Sequence, residues 1–322
     1  MAGSSHADEL LVGNKSGDSV WRLSPRDGHK TGEFRTGEAP HEIAVAGNGR
    51  FALVSNYGRE TSGNTLSVLD LVGGKPTRSI DLGEHGAPHG VRLLPGDRRA
   101  LVTTEGSANV LLVDIASGKV ERAIDVGGGT GHMLALSPDA KSAYVTKINA
   151  GTVSRIDLSS GIKTHERPAG KGAEGVAVSP DGREVWVANR ADGTLTVHDP
   201  ATLALRRRMS SKGFPIRVAF SSDGRHALVV NAGAANVAVF DTRTRLRIAI
   251  VELAEAGRDY NQTMLGRAAL PIGLVMDPSR PRAYVAISGG DRIAVIDTRS
   301  WKVVDRWPAG REPDALGFVP GN

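Results

Sequence analysis

The chain has 322 residues with a formal net charge of +5, and aromatic residues make up only 4% of it. It has no cysteine, which excludes disulfides, thiolate metal sites and cysteine nucleophiles. No apolar run approaches the roughly 18 residues needed to cross a bilayer, and glycine, at 40 residues, is well above the usual share of about 7%, as expected for short strands joined by many tight turns.

In chain order, Met1–Ser5 is small and polar and is followed by His6, Ala7 and Asp8. Residues 1–7 read as a tag or as what remains after a signal peptide is removed, which predicts a periplasmic or secreted protein; without export the protein is cytoplasmic. Residues 8–322 are expected to form one domain. Leu10–Asn14 and Ser19–Leu23 then read as strands.

From residue 40 onward one pattern recurs: an apolar strand, a polar turn, a second strand, a Gly/Asn loop, and a third strand ending in aspartate. The clearest copy runs from Glu174 through Ser179-Pro180-Asp181-Gly182 and Val185–Asn189 to Asp199. Copies end at Asp70, Asp114, Asp157, Asp199, Asp241 and Asp297. A spacing of roughly 42–44 residues is the period of a four-stranded propeller blade, and one interval, Asp241 to Asp297, is longer. The period-two alternation predicts half-buried strands. The strand-end aspartates read as turn formers. At the C-terminus, Pro313–Val319 matches an innermost strand and the N-terminal strands match second and third strands. The predicted fold is all-β: a seven-bladed propeller of four-stranded blades, its ring closed by N- and C-terminal strands sharing one blade.

The second strands Ala143–Lys147, Val185–Asn189, Ala227–Asn231 and Ala283–Ala286, with their Ser-Pro-Asp-Gly-type turns, resemble the YVTN-type repeat propellers of bacteria and archaea, a group that includes surface proteins and lactonase-like enzymes. The resemblance implies the fold and leaves the activity open.

Aligning the blades puts His41, His89, His132, Glu174, Ile216, Ile272 and Asp314 at one position, where innermost strands open at a mouth of the central channel. Three imidazoles and a carboxylate on consecutive blades suit a divalent transition metal such as Zn, Cu or Fe. His41, His89, His132 and Glu174 are the expected ligands. Residues just past the second strands face the same mouth. Glu105 and Arg217 are the candidate catalytic residues, Glu105 as general base. Arg217, Lys147 and Arg190 are candidates for holding a carboxylate, with Tyr57, Asn189 and Asp314 as further ligand-binding residues. The remaining histidines, including His198, are expected at the surface. Two enlarged loops, Ala254–Ala269 with Arg258, Asp259, Tyr260 and Asn261, and Tyr57–Gly63, lie on that face and suggest a lid.

The expected function is a metal-dependent hydrolase, lyase or oxidase acting on a small polar or anionic molecule. A non-catalytic periplasmic propeller that binds a ligand or protein is the alternative. The basic residues are scattered, with one cluster at Arg206-Arg207-Arg208, which argues against a nucleic-acid partner. A monomer is compatible with this reading.

Overall fold

The structure is a computed structural model that describes residues 7–73 and 77–321. The expected tag or signal remnant therefore falls largely outside the described residues. Among the described residues, no helix is long and apolar enough to cross a membrane.

Seven four-stranded antiparallel sheets are arranged as the blades of a propeller. We number the blades by their innermost strands: blade 1 Pro40–Val45, blade 2 Pro88–Leu93, blade 3 Gly131–Leu136, blade 4 Ala173–Val178, blade 5 Pro215–Phe220, blade 6 Pro271–Met276 and blade 7 Pro313–Val319. Neighbouring innermost strands touch all the way round, blade 7 against blade 1 included. Blade 7 joins the two ends of the chain: Glu9–Asn14 pairs with Pro313–Val319, Leu10 opposite Phe318 and Val12 opposite Leu316. Ser19–Leu23 and Lys30–Arg35 complete its outer half. Both edges that an open ring would expose are thereby paired.

The core is divided into seven apolar clusters, one at each junction between adjacent blades. Trp186 of blade 4, fully buried, packs edge-on against Phe220 and Phe240 of blade 5. Because each sheet is covered on both faces, second strands such as Ser142–Lys147 and Val185–Asn189 are buried at every residue. The half-buried alternation expected from the sequence holds only toward the rim, as in Lys30–Arg35.

The turns follow the chemistry of their residues. Asp181 accepts a hydrogen bond from Ser179 Oγ at 2.6 Å, and Gly182 takes a φ of +70°. The strand-end aspartates cap the outer turns, as where Asp157 accepts from the backbone N–H of Ser160 at 2.8 Å.

Candidate functional site at the channel mouth

Each innermost strand begins with the same backbone device. The residue before it is left-handed in all seven blades: Ala39, Ala87, Thr130, Gly172, Phe214, Leu270 and Glu312 have φ between +49° and +68°. For the six non-glycine residues this conformation costs about 1–2 kcal/mol each. It aims each carbonyl at the N–H of a residue at or just past the end of the second strand. Tyr57 N–H donates to Ala39 O at 3.1 Å, Glu105 N–H to Ala87 O at 3.0 Å, and Arg190 N–H to Gly172 O at 2.9 Å. A register shift against the second strand follows in every blade, at the position the sequence alignment singled out. Bulges re-aim side chains. Here the seven aligned residues, His41, His89, His132, Glu174, Ile216, Ile272 and Asp314, all line one cavity of about 300 Å³.

A second circle surrounds them, made of the residues whose N–H groups are held by the left-handed carbonyls. Lys15, Tyr57, Glu105, Ile148 and Arg190 reach the cavity. The residue immediately before each of these points to the opposite side, because successive strand residues alternate. Lys147 and Asn189, expected to bind ligand, therefore face the protein body. Lys147, 2% exposed, donates to Val126 O at 3.0 Å and pairs with Glu166 at 2.6 Å. Asn189 is fully buried and donates to Thr194 and Thr196. His198 is also fully buried, bonded to Leu203 O at 3.0 Å, and is not a surface residue.

The polar arc of the cavity is one connected chain of side chains. Tyr57 donates its hydroxyl to Glu105 Oε2 at 2.6 Å. The other oxygen of Glu105 meets His132 Nδ1, and His132 Nε2 lies 3.5 Å from Glu174. Arg190 donates to Glu174 Oε2 at 2.8 Å. Burial opposes a charge on His132, but the hydrogen bonds with Glu105 and Glu174 outweigh it and raise its pKa to about 9. Glu105 is lowered despite its burial because His132 and Tyr57 favour its charged form. His89 packs against His132 with ring centroids 3.6 Å apart and against His41 at 4.2 Å. Burial first, then the positive charge of neighbours including His132, holds both His41 and His89 far below the usual imidazole pKa. Both nitrogens of His89 are buried without a hydrogen-bond partner.

Ligand atoms of His89, Glu105 and His132 lie within 4.8 Å of one another. This set differs from the expected His41, His89, His132 and Glu174. Glu105 joins it, Glu174 sits on the far nitrogen of His132, and His41 turns toward Asp314, its Nδ1 3.4 Å from Oδ2. Burial raises Asp314 to about 6 against the opposing pull of Lys15. Arg217, expected to act in catalysis or hold a carboxylate, instead crosses from blade 5 to blade 1 and donates both terminal nitrogens to Glu42, at 3.0 and 2.6 Å. Nothing in the blade alignment singled out Glu42, one residue past the aligned position.

A hydroxyl relay fixes the polar arc. Ser55 accepts from Glu42 N–H at 3.0 Å and donates to His89 O of the next blade at 2.7 Å. Thr103 accepts from Gly90 N–H at 2.8 Å and donates to His132 O. Thr146 donates to Glu174 O. The bulges leave these backbone groups without ladder partners, and the hydroxyls satisfy them. The corresponding residues preceding Ile216 and Ile272 in the ring are Ala188 and Val230, which carry no hydroxyl.

The Ala254–Ala269 insertion does reach the mouth, though through other residues than those named from sequence. Tyr260, Arg258 and Asn261 anchor its base: the Tyr260 hydroxyl accepts from Glu255 N–H at 2.7 Å, and Arg258 donates to Gly290 O at 2.8 Å. Asn261 donates to Asp291 at 2.8 Å. A small hairpin, Gln262–Thr263 paired with Gly266–Arg267, carries Met264 and Leu265 at its tip, and both line the cavity. The Tyr57–Gly63 loop leans away toward blade 7, where Arg59 pairs with Asp18 and Glu38.

A search of curated protein sequences finds no match. Among solved structures, a functionally unknown protein from Desulfotomaculum acetoxidans DSM 771 is similar, with a TM-score of 0.79 over 97% of this chain and 99% of that one, at 15% identity. That likeness concerns the fold. The family model for lactonases with a seven-bladed β-propeller matches residues 19–246, in agreement with the blades described above, and the chain belongs to that family.

Proposed function

We propose that the protein is a hydrolase that opens a small ester or lactone at the channel mouth. The observation that carries this reading is the clamp on His132, held between Glu105 and Glu174 with Tyr57 fixing Glu105. The pair supplies both halves of a hydrolysis. Glu105 takes a proton from water as it adds to the acyl carbon, and His132 gives its proton to the departing alkoxide as the C–O bond breaks. Their shared hydrogen bond then returns the proton from Glu105 to His132.

A divalent transition ion fits the same corner. His89 offers two buried nitrogens without partners and is kept neutral, as a ligand must be. With His132 deprotonated, His89, Glu105 and His132 would together hold the ion, and the ion would then lower the pKa of bound water and polarise the acyl oxygen in place of the proton pair.

The test is hydrolysis of a panel of lactones and esters, followed by proton release, with metal content measured on the purified protein. We expect turnover of at least one panel member, reduced more than a hundredfold in Glu105→Gln and His132→Ala. We also expect about one bound ion per chain, absent from His89→Ala. Turnover by the variants equal to wild type, or no turnover of any panel member, overturns the hydrolase reading.

A further inference from the structure

The cavity has an apolar side that the acid–base chemistry leaves unused. In the circle of aligned residues, blades 5 and 6 place Ile216 and Ile272 where the other five blades place histidine or acid. The insertion joins these same two blades, and its tip overhangs the cavity with Met264 and Leu265, 80% and 48% exposed. Two apolar side chains at the tip of a hairpin anchored by polar bonds at its base are well placed for an apolar partner below them.

The charged groups point the same way. Each lysine or arginine lining the cavity already faces an acid. Arg217 is bidentate on Glu42 at 3.0 and 2.6 Å, Arg190 holds Glu174 at 2.8 Å, and Lys15 lies 3.6 Å from Asp314. An anionic substrate would have to displace one of these acids, whereas a neutral one with a hydrocarbon arm would not.

Resting on the hydrolase reading, we infer that the substrate is an uncharged lactone or ester bearing an alkyl or acyl arm, which lies against Ile216 and Ile272 beneath Met264 and Leu265. The carbonyl then falls toward Glu105 and His132 across a cavity of about 300 Å³, at the small end of ligand pockets. Each methylene seated in this way adds about fourfold in affinity.

The experiment measures binding, so that it does not depend on turnover. The probes are a γ-lactam, the same lactam with a six-carbon chain, and the chain-bearing lactam ending in a carboxylate. They are titrated calorimetrically into wild type and into the double variant Met264→Ser, Leu265→Ser. Both substituted residues are exposed, so the thermal unfolding midpoint should be unchanged. With three to four of the six carbons seated, we expect wild type to bind the alkyl lactam about a hundredfold more tightly than the bare lactam and more tightly than the carboxylate. The double variant should lose at least tenfold of that preference. Equal binding of the bare and alkyl lactams, tighter binding of the carboxylate, or a preference untouched by the double variant overturns the inference. If the preference holds while no ester or lactone is turned over, the apolar arm stands and the hydrolase reading falls.

Discussion

The two sides of the channel mouth share one backbone and differ in what holds it. On blades 1 to 4 the aligned residues are His41, His89, His132 and Glu174, and hydroxyls from Ser55, Thr103 and Thr146 tie the backbone of the last three to the preceding blade. On blades 5 and 6 the aligned residues are Ile216 and Ile272, and Ala188 and Val230 stand where the hydroxyls would be. Both sides keep the left-handed residue and the register shift. The fold therefore supplies the direction of the side chain, and the hydroxyl accompanies three of the five ionisable positions and neither isoleucine, Gly13 and Ala286 standing before His41 and Asp314. An isoleucine in a greasy wall tolerates a shift of a few tenths of an ångström. An imidazole clamped between two carboxylates does not, because its hydrogen bonds depend on distance and direction.

The comparison can be broken most sharply at the polar side. Glu105→Gln should lower turnover by about 10²–10⁴-fold, whereas Ile272→Val, at the matching place on the apolar side, should leave turnover of an unsubstituted lactone within about threefold, consistent with a small volume change. Steady-state rates on the two variants check both. A milder probe is Thr103→Val, which keeps the shape and removes the hydroxyl. Leaving Gly90 N–H and His132 O unpaired should cost about 1–3 kcal/mol in denaturant unfolding and should also lower turnover. Val230→Ala, its counterpart, should lower stability by a similar amount through lost packing and leave turnover nearly unchanged.

The next contrast lies between neighbours in sequence, Lys147 inside the body and Ile148 at the cavity. Glu166, paired with Lys147 and Lys163, has its pKa lowered to about 2 because those hydrogen bonds outweigh its burial. A depressed carboxylate stabilises the fold fully above its ordinary pKa of 4.5, and that stabilisation is lost as pH falls toward about 2. Glu166→Gln should therefore lower the unfolding midpoint at pH 7 by a few degrees and by progressively less in acid, until the two proteins converge near pH 2. Thermal melts across pH 2–7 measure this. The smallest effect is expected at Ile148→Leu, which keeps an apolar volume at the cavity rim and should alter unfolding by less than about 1 kcal/mol.

The fold could be read from the chain because the repeat is a property of turns. Ser-Pro-Asp-Gly and the strand-end aspartates carry their own geometry, and their spacing counts the blades. The aligned circle could be read for the same reason, since one position in a repeat occupies one place in a ring. The sequence reading lost precision where geometry depended on the neighbouring blade. Thr130, like Ala39, Phe214 and Leu270, carries no mark of a left-handed conformation, so nothing in the chain shows that its carbonyl holds the N–H of Ile148 and that Ile148, rather than Lys147, faces the cavity. The Arg217–Glu42 pair joins blades 1 and 5 and left no local signal. The insertion was located correctly, yet its polar residues drew attention when they are the anchors and Met264 and Leu265 are the part over the cavity.

Blade 7 gives the site a further property. Asp314, on the strand that pairs with Glu9–Asn14, stands in the same circle as His41 and contacts Lys15 from the opposite end of the chain. The cavity wall is therefore incomplete until the most distant strands in the sequence have met. Such contacts are the slowest to form, because the whole intervening chain must be ordered to bring them together. Without Pro313–Val319 the histidine arc on blades 1 to 3 has no opposite wall, so the shape of the cavity is itself set by closure of the ring.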